Sequence, residues 1–158
     1  MPKTSIKPAS VPKRDSANPR PLDDHIGHLL RRAHQYASAN LSSKLKEYGL
    51  SPAQHAVLLR LFEVRRVSQN ELGRLVAMER ANIHSIVNRL LAQGLIVAKK
   101  DGRDARKNVI CLSGKGRRLV KTLAPLHNEA TAQVLSVLSK VEIEQLYSLL
   151  QRICPPPE

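Results

Sequence analysis

The sequence predicts a mainly α-helical chain with one small β-hairpin, and three observations carry that expectation. Apolar residues recur at three-and-four spacing over most of the chain, the period of one helical face. Two Ser-x-x-Glu boxes, Ser68 to Glu71 and Ser139 to Glu142, stand immediately before apolar helical runs, where side chains satisfy free backbone donors. Two short segments rich in β-branched residues, 95–100 (LIVAKK) and 107–112 (KNVICL), flank the turn former Asp101-Gly102. With 158 residues, 42% of them apolar, there is material for one domain and one core.

The elements follow in order. A long first helix is expected from Asp23 or Asp24 as N-cap through Ile26, Leu29, Leu30, Ala33, Ala37, Leu41 and Leu45, ending near Gly49. Ser51-Pro52 supplies a cap and a first-turn proline for a second helix through Val57, Leu58, Leu61 and Phe62. The box at Ser68 opens a brief third helix with Leu72, Leu75 and Val76 on its apolar face. After a turn at Ala77 to Glu79 comes a fourth helix, Arg80 to Gln93, closed by Gly94. The hairpin follows, and Gly114 and Gly116 mark its exit. A long helical pattern then runs through Leu119, Leu123, Leu126, Ala130, Val134, Val137 and Leu138, with a kink expected at Pro125, which lacks a backbone donor. Ile143, Leu146, Leu149, Leu150 and Ile153 make the last helix before a PPPE tail.

The charge is segregated. Lys plus Arg number 26 against 13 for Asp plus Glu, a formal net charge of +13. Residues 1–21 hold five of the ten prolines and five basic residues against one acid, too little apolar bulk to offset ordering entropy, and read as a disordered basic arm. Residues 60–121 carry fifteen basic and five acidic groups, whereas 22–59 and 122–158 are nearly neutral. A polyanion is expected to meet the middle of the chain. Aromatics are only 3%, which argues against a single-strand binder that stacks bases.

The third helix, the turn and the fourth helix make a helix-turn-helix, and the hairpin after it a wing. At about 100° per residue, Ile83, Ile86, Val87 and Leu90 fall on one side of the fourth helix. Opposite lie Ala81, Ser85 and Asn88, flanked by Asn82, His84 and Arg89, small and amide side chains suited to base edges, with Arg80 and Arg89 available for phosphate or guanine. At the hairpin tip, Arg103 and Arg106 suit a minor groove, and Asp104 can hold Arg106 in a fixed pose; Lys107 adds a further cation. The fold class is therefore a winged helix-turn-helix with helical regions from both chain ends, whose long neutral apolar stripes permit a second copy of the chain to cover them.

From NELGRLVAMERANIHSIVNRLLAQGLI through DGRDARKNVICLSGKG the sequence resembles the MarR-type winged-helix transcriptional regulators, over about residues 22–153. Asp104 and Arg106 match the family's Asp-x-Arg wing motif, and Arg89 a commonly basic position late in the recognition helix; Ser113 stands where Thr is usual, and Ala81, His84 and Ser85 depart from the pattern. The resemblance implies a homodimer built from residues 22–49 and 114–153 around a winged unit at 51–112, binding a pseudo-palindromic operator in double-stranded DNA. It also implies a pocket for a small-molecule effector, for which His28, Arg32, Tyr36 and His55 are candidates, since a cation, imidazoles and a phenol suit a small aromatic carboxylate or phenol. The chain as a whole is similar to family members that repress breakdown of hydroxylated nicotinate-like acids.

Other chemistry finds little support. His25 and His28 lie one turn apart with no acid or cysteine to complete a metal set, and no metal or cofactor is expected. Cys111 reads as a packing residue on a strand and Cys154 as part of the tail at 154–158. No phosphate loop, nucleophile elbow or paired carboxylates suggest an enzyme. No apolar run reaches membrane-spanning length, and a cytoplasmic protein is expected. The competing expectation is a sequence-indifferent DNA-coating or architectural protein, which the charge and the arm would also serve.

Overall fold

Six helices and a three-stranded antiparallel sheet are laid out in a computed structural model that describes residues 21–100 and 108–154. The basic arm, the hairpin tip with Arg103, Asp104, Arg106 and Lys107, and the end of the tail lie outside those residues, apart from Pro21 and Cys154. The chain divides into two compact units, Met1–His34 and Gln35–Glu158. The boundary falls within the first helix.

The helices are α1 (Ile26–Leu45), α2 (Pro52–Val64), α3 (Gln69–Leu75), α4 (Arg80–Ala92), α5 (Gly114–Leu135) and α6 (Lys140–Ile153); the strands are β1 (Arg66–Val67), β2 (Ile96–Lys100) and β3 (Asn108–Leu112). Asp23 and Asp24 do not cap α1 as expected. They sit in a 3-10 turn over Leu22–Asp24, where Asp23 is drawn to two basic side chains instead. Ser51 and Ser139 form the reciprocal boxes with Gln54 and Glu142. Ser68 forms only half of its expected box, accepting from the Glu71 N–H. Hydrogen bonds donated by the Ser139 backbone N–H and then by its hydroxyl hold the Glu142 carboxyl below its ordinary range.

The hairpin acquires a partner that periodicity missed. β1 is two residues long and pairs with β3, giving the order β1-β3-β2, with Val67 opposite Ile110 and Arg66 opposite Cys111. Two residues carry no readable alternation, so only the pairing reveals them. Register sorts the sheet's faces: Val67, Ile96, Ile110 and Leu112 are buried, whereas Val97, Val109 and Cys111 are half-buried on the other side.

The core of the second unit gathers Val57, Leu58 and Leu61 of α2, Leu72 of α3, Ile83, Val87 and Leu90 of α4, Ile96 of β2, and Val120 and Leu123 of α5. Each such side chain taken fully from water contributes about 1.5 to 3 kcal/mol before entropy. α4 is closed by Gly94 at φ +67°, the left-handed geometry glycine adopts without a Cβ penalty. α5 is capped by Ser113 and continues as one helix of 22 residues through Pro125, so the expected kink does not interrupt it. Lys44 of α1 and Glu129 of α5 are joined by a 2.7 Å ion pair. α6 has no buried residue at all.

Candidate nucleic-acid interface and effector cavity

The interface is built by how closely α3 meets α4. A Cβ on Gly73 would stand 3.2 Å from Ile83 Cγ2 and 3.3 Å from the Met78 carbonyl oxygen, so the absent side chain lets the helices touch. The turn between them uses Ala77 at φ 52°, a left-handed residue that is not glycine. With Ile83, Val87 and Leu90 buried beneath, α4 is held by one face. Arg80, Ala81, Asn82, His84, Ser85, Asn88 and Arg89 are all exposed on the rest of it, as the angular reading expected. Among the exposed residues of α4 there is no acid and no large hydrophobe.

One connection across this surface was not legible in the sequence. His84 Nδ1 lies 3.1 Å from Gln69 Nε2 at the start of α3, and its Nε2 lies 3.1 Å from Asn88 Nδ2 one turn along α4. Gln69 and His84 are fifteen residues apart, so only the crossing of the helices brings them together.

The four candidate effector residues part company. His28 Nε2 and Arg32 Nη1 both face Asp23 Oδ1, at 3.4 and 3.2 Å, and Arg31 Nη2 meets His28 Nδ1 at 2.9 Å. Asp23, expected as a helix cap, thus occupies the cation offered to a carboxylate. Tyr36 is 58% exposed. His55 is buried, stacked on His127 with ring centroids 5.3 Å apart. Burial, and secondarily the charge of His127, push the His55 imidazole down to about 4, so it is neutral at physiological pH.

A cavity of about 300 Å³ opens between the second half of α1, α5 and α6, lined by Leu41, His127, Thr131, Val134, Leu146 and Tyr147 among others. Tyr36 and His55 do not line it, but His127 does. His55 Nε2 and His127 Nδ1 are buried without a hydrogen-bond partner, an uncommon and costly state for ring nitrogens. The sequence reading missed His127 because its position on α5 carries no motif. Among the described residues no cluster of three or more His, Cys, Asp or Glu could hold a metal, and no helix is long and apolar enough to cross a membrane.

Known proteins share this arrangement. The MarR family pattern matches residues 48–107, which take in α2, β1, the helix-turn-helix and the first strand of the wing. A probable transcriptional regulator from Pseudomonas aeruginosa is 41% identical, with 84% of this chain and 99% of that one aligned at a TM-score of 0.77. BpsR of Bordetella bronchiseptica, solved in a study of how 6-hydroxynicotinic acid regulates its DNA binding, is 28% identical over 87% of this chain and 99% of its own, with a TM-score of 0.81. The transcriptional repressor NicR of Pseudomonas putida is 28% identical over 96% of this chain and 94% of its own length. These relatives are regulators rather than enzymes. A winged helix-turn-helix with this crossing, this sheet and this degree of likeness places the chain in the MarR family.

Proposed function

We propose that the chain is a homodimeric, sequence-specific DNA-binding transcriptional regulator, a repressor released by a small aromatic acid. The outward face of α4 carries the reading: a helix docked by one side leaves only small, amide, imidazole and basic groups facing out. Such a face has donors and acceptors for base edges and nothing that a DNA phosphate would repel. Arg80 and Arg89 serve phosphate or guanine, Ala81, Asn82, His84, Ser85 and Asn88 the groove floor. In this reading the wing contact falls to Arg103, Asp104, Arg106 and Lys107, which lie outside the described residues. The likeness to NicR, a named repressor, supports the sign of regulation. A DNA-bound regulator acts in the cytoplasm.

Two copies are favoured by α6. Val141, Leu149 and Ile153 are 62, 51 and 62% exposed on a helix with no buried residue, and their spacing places them toward one side of it. A second copy would cover them and present two recognition helices to a pseudo-palindrome. In this organisation residues 1–21 are an arm, 51–112 the winged unit, and the flanking helices the dimer region.

The effector reading rests on the cavity, whose volume falls at the lower end of small-molecule sites and suits a single substituted ring. His127, with an unpartnered nitrogen, offers the acid or phenol a hydrogen bond. The likeness to BpsR favours a hydroxylated nicotinate-like acid. Release requires that the ligand bind better to the conformer whose recognition helices are wrongly spaced.

Titrating a selected operator against random duplex at fixed salt tests the DNA reading. Discrimination of about a thousandfold or more is expected, and a ratio below about tenfold would favour the coating protein instead. Thermal shift with 6-hydroxynicotinate against benzoate, on wild type and His127→Leu, tests the cavity.

A further inference from the structure

We propose that His84 is a positioning residue for specificity: it couples Gln69 of α3 to Asn88 of α4, so that the end of the Asn88 amide turned toward a base edge is set from the neighbouring helix. The inference rests on α4 being the DNA-reading helix.

The geometry is a chain of three polar groups in contact, Gln69 to His84 Nδ1 and His84 Nε2 to Asn88, each link 3.1 Å. A neutral imidazole has one donor nitrogen and one acceptor nitrogen, and a carboxamide has a donor end and an acceptor end. The two amides therefore cannot face the ring alike. If Gln69 donates its NH2 to Nδ1, the ring proton is on Nε2 and Asn88 must turn its oxygen inward, leaving its NH2 to face out. If Asn88 donates to Nε2, the proton is on Nδ1, Gln69 turns its oxygen inward, and the Asn88 oxygen faces out. An outward NH2 reads an acceptor such as guanine O6 or N7; an outward oxygen reads a donor such as cytosine N4 or adenine N6. The state of Gln69 thus selects the edge that Asn88 reads.

Gln69 is well placed to be the anchor. It is half-buried at the first position of α3, next to the Ser68 cap, whereas His84 and Asn88 are exposed. The close crossing at Gly73 and Ile83 fixes the distance between the two helices, and hence the reach from Gln69 to the ring. An exposed asparagine left free would sample several rotamers, and ordering one of them on binding opposes affinity. A ring held at both nitrogens removes much of that freedom beforehand.

The test compares Gln69→Met, nearly the same shape without polar atoms, with Asn88→Ala and the double variant, on a panel of operators changed one base pair at a time. Asn88→Ala should flatten discrimination at one base pair, by about tenfold for a lost amide contact. Gln69→Met should weaken discrimination about threefold to tenfold at that same pair, leaving the salt dependence and the affinity for random duplex unchanged. In the Asn88→Ala background it should then have no further effect, the signature of two residues acting through one contact. Additive losses, or an unchanged profile in Gln69→Met, would overturn the coupling while leaving α4 as the reader. A purely structural role would lower the melting temperature and weaken all sequences equally. If Asn88→Ala changes no base preference, both the coupling and the assignment of Asn88 to a base fall.

Discussion

α4 and α6 are helices of nearly equal length, 13 and 14 residues, and both are amphipathic, yet they stand in opposite relations to their own chain. α4 buries Ile83, Val87 and Leu90 and turns a polar face outward; α6 buries nothing and leaves Val141, Leu149 and Ile153 in the open. The first helix has its apolar side satisfied within the chain, so its outer side is free to be chosen for what it binds. The second has an apolar side that its own chain covers only in part, with Ile143, Leu146 and Leu150 half-buried and Val141, Leu149 and Ile153 left exposed. One chain therefore displays two surfaces of different chemistry, and the difference teaches that the proposed DNA contact and the proposed dimer contact place opposite demands on a helix.

The contrast is broken most strongly on the docked side. Leu90→Ala removes a fully buried side chain from the α4 face and should cost about 2 to 5 kcal/mol of unfolding free energy, read from urea titration; a loss under about 0.5 would mean α4 is not held as described. Acid should act next through His55. Its imidazole is pushed from 6.5 to about 4 in the folded state, so the stabilisation from keeping it neutral is complete above 6.5 and disappears as the pH falls toward 4. The loss should approach about 3 kcal/mol, and His55→Leu should flatten that part of the stability profile, while a profile unchanged by the substitution would remove His55 as its source.

On the undocked side, Leu149→Arg should leave the monomer fold within about 0.5 kcal/mol of wild type yet raise the dimer dissociation constant about a hundredfold, with operator affinity falling alongside it. Sedimentation velocity decides: a variant that stays dimeric excludes this face of α6. The smallest effect belongs to the wing, where Arg106→Ala should lower the slope of log K against log salt by about one unit, and an unchanged slope would take Arg106 off the phosphates.

What could be read beforehand follows from what leaves a local mark. The cap at Ser51 and its proline, the box at Ser139 and the glycine after α4 work within a turn of chain, so each announced an element that formed. Asp23 carried an equally good capping signal and was claimed instead by His28 and Arg32, because an acid near basic side chains has a competing partner that propensity does not register. β1 was invisible because two residues have no period. The effector candidates fared unevenly for the same reason: residue type suggested His55, but burial against a second imidazole on a helix more than seventy positions later decided its charge state, and brought forward His127, which no spacing had marked.

The amino-acid order by itself determined the succession of helices, the polar outer face of α4 and the concentration of positive charge in the middle of the chain. These depend on period, capping and composition, which are properties of neighbours along the backbone. Only the tertiary structure decided that Gln69 reaches His84, that two imidazoles stack beside a cavity, and that α6 is covered only in part. Those facts depend on which surfaces meet once helices cross, and distance through space is not written in distance along the chain.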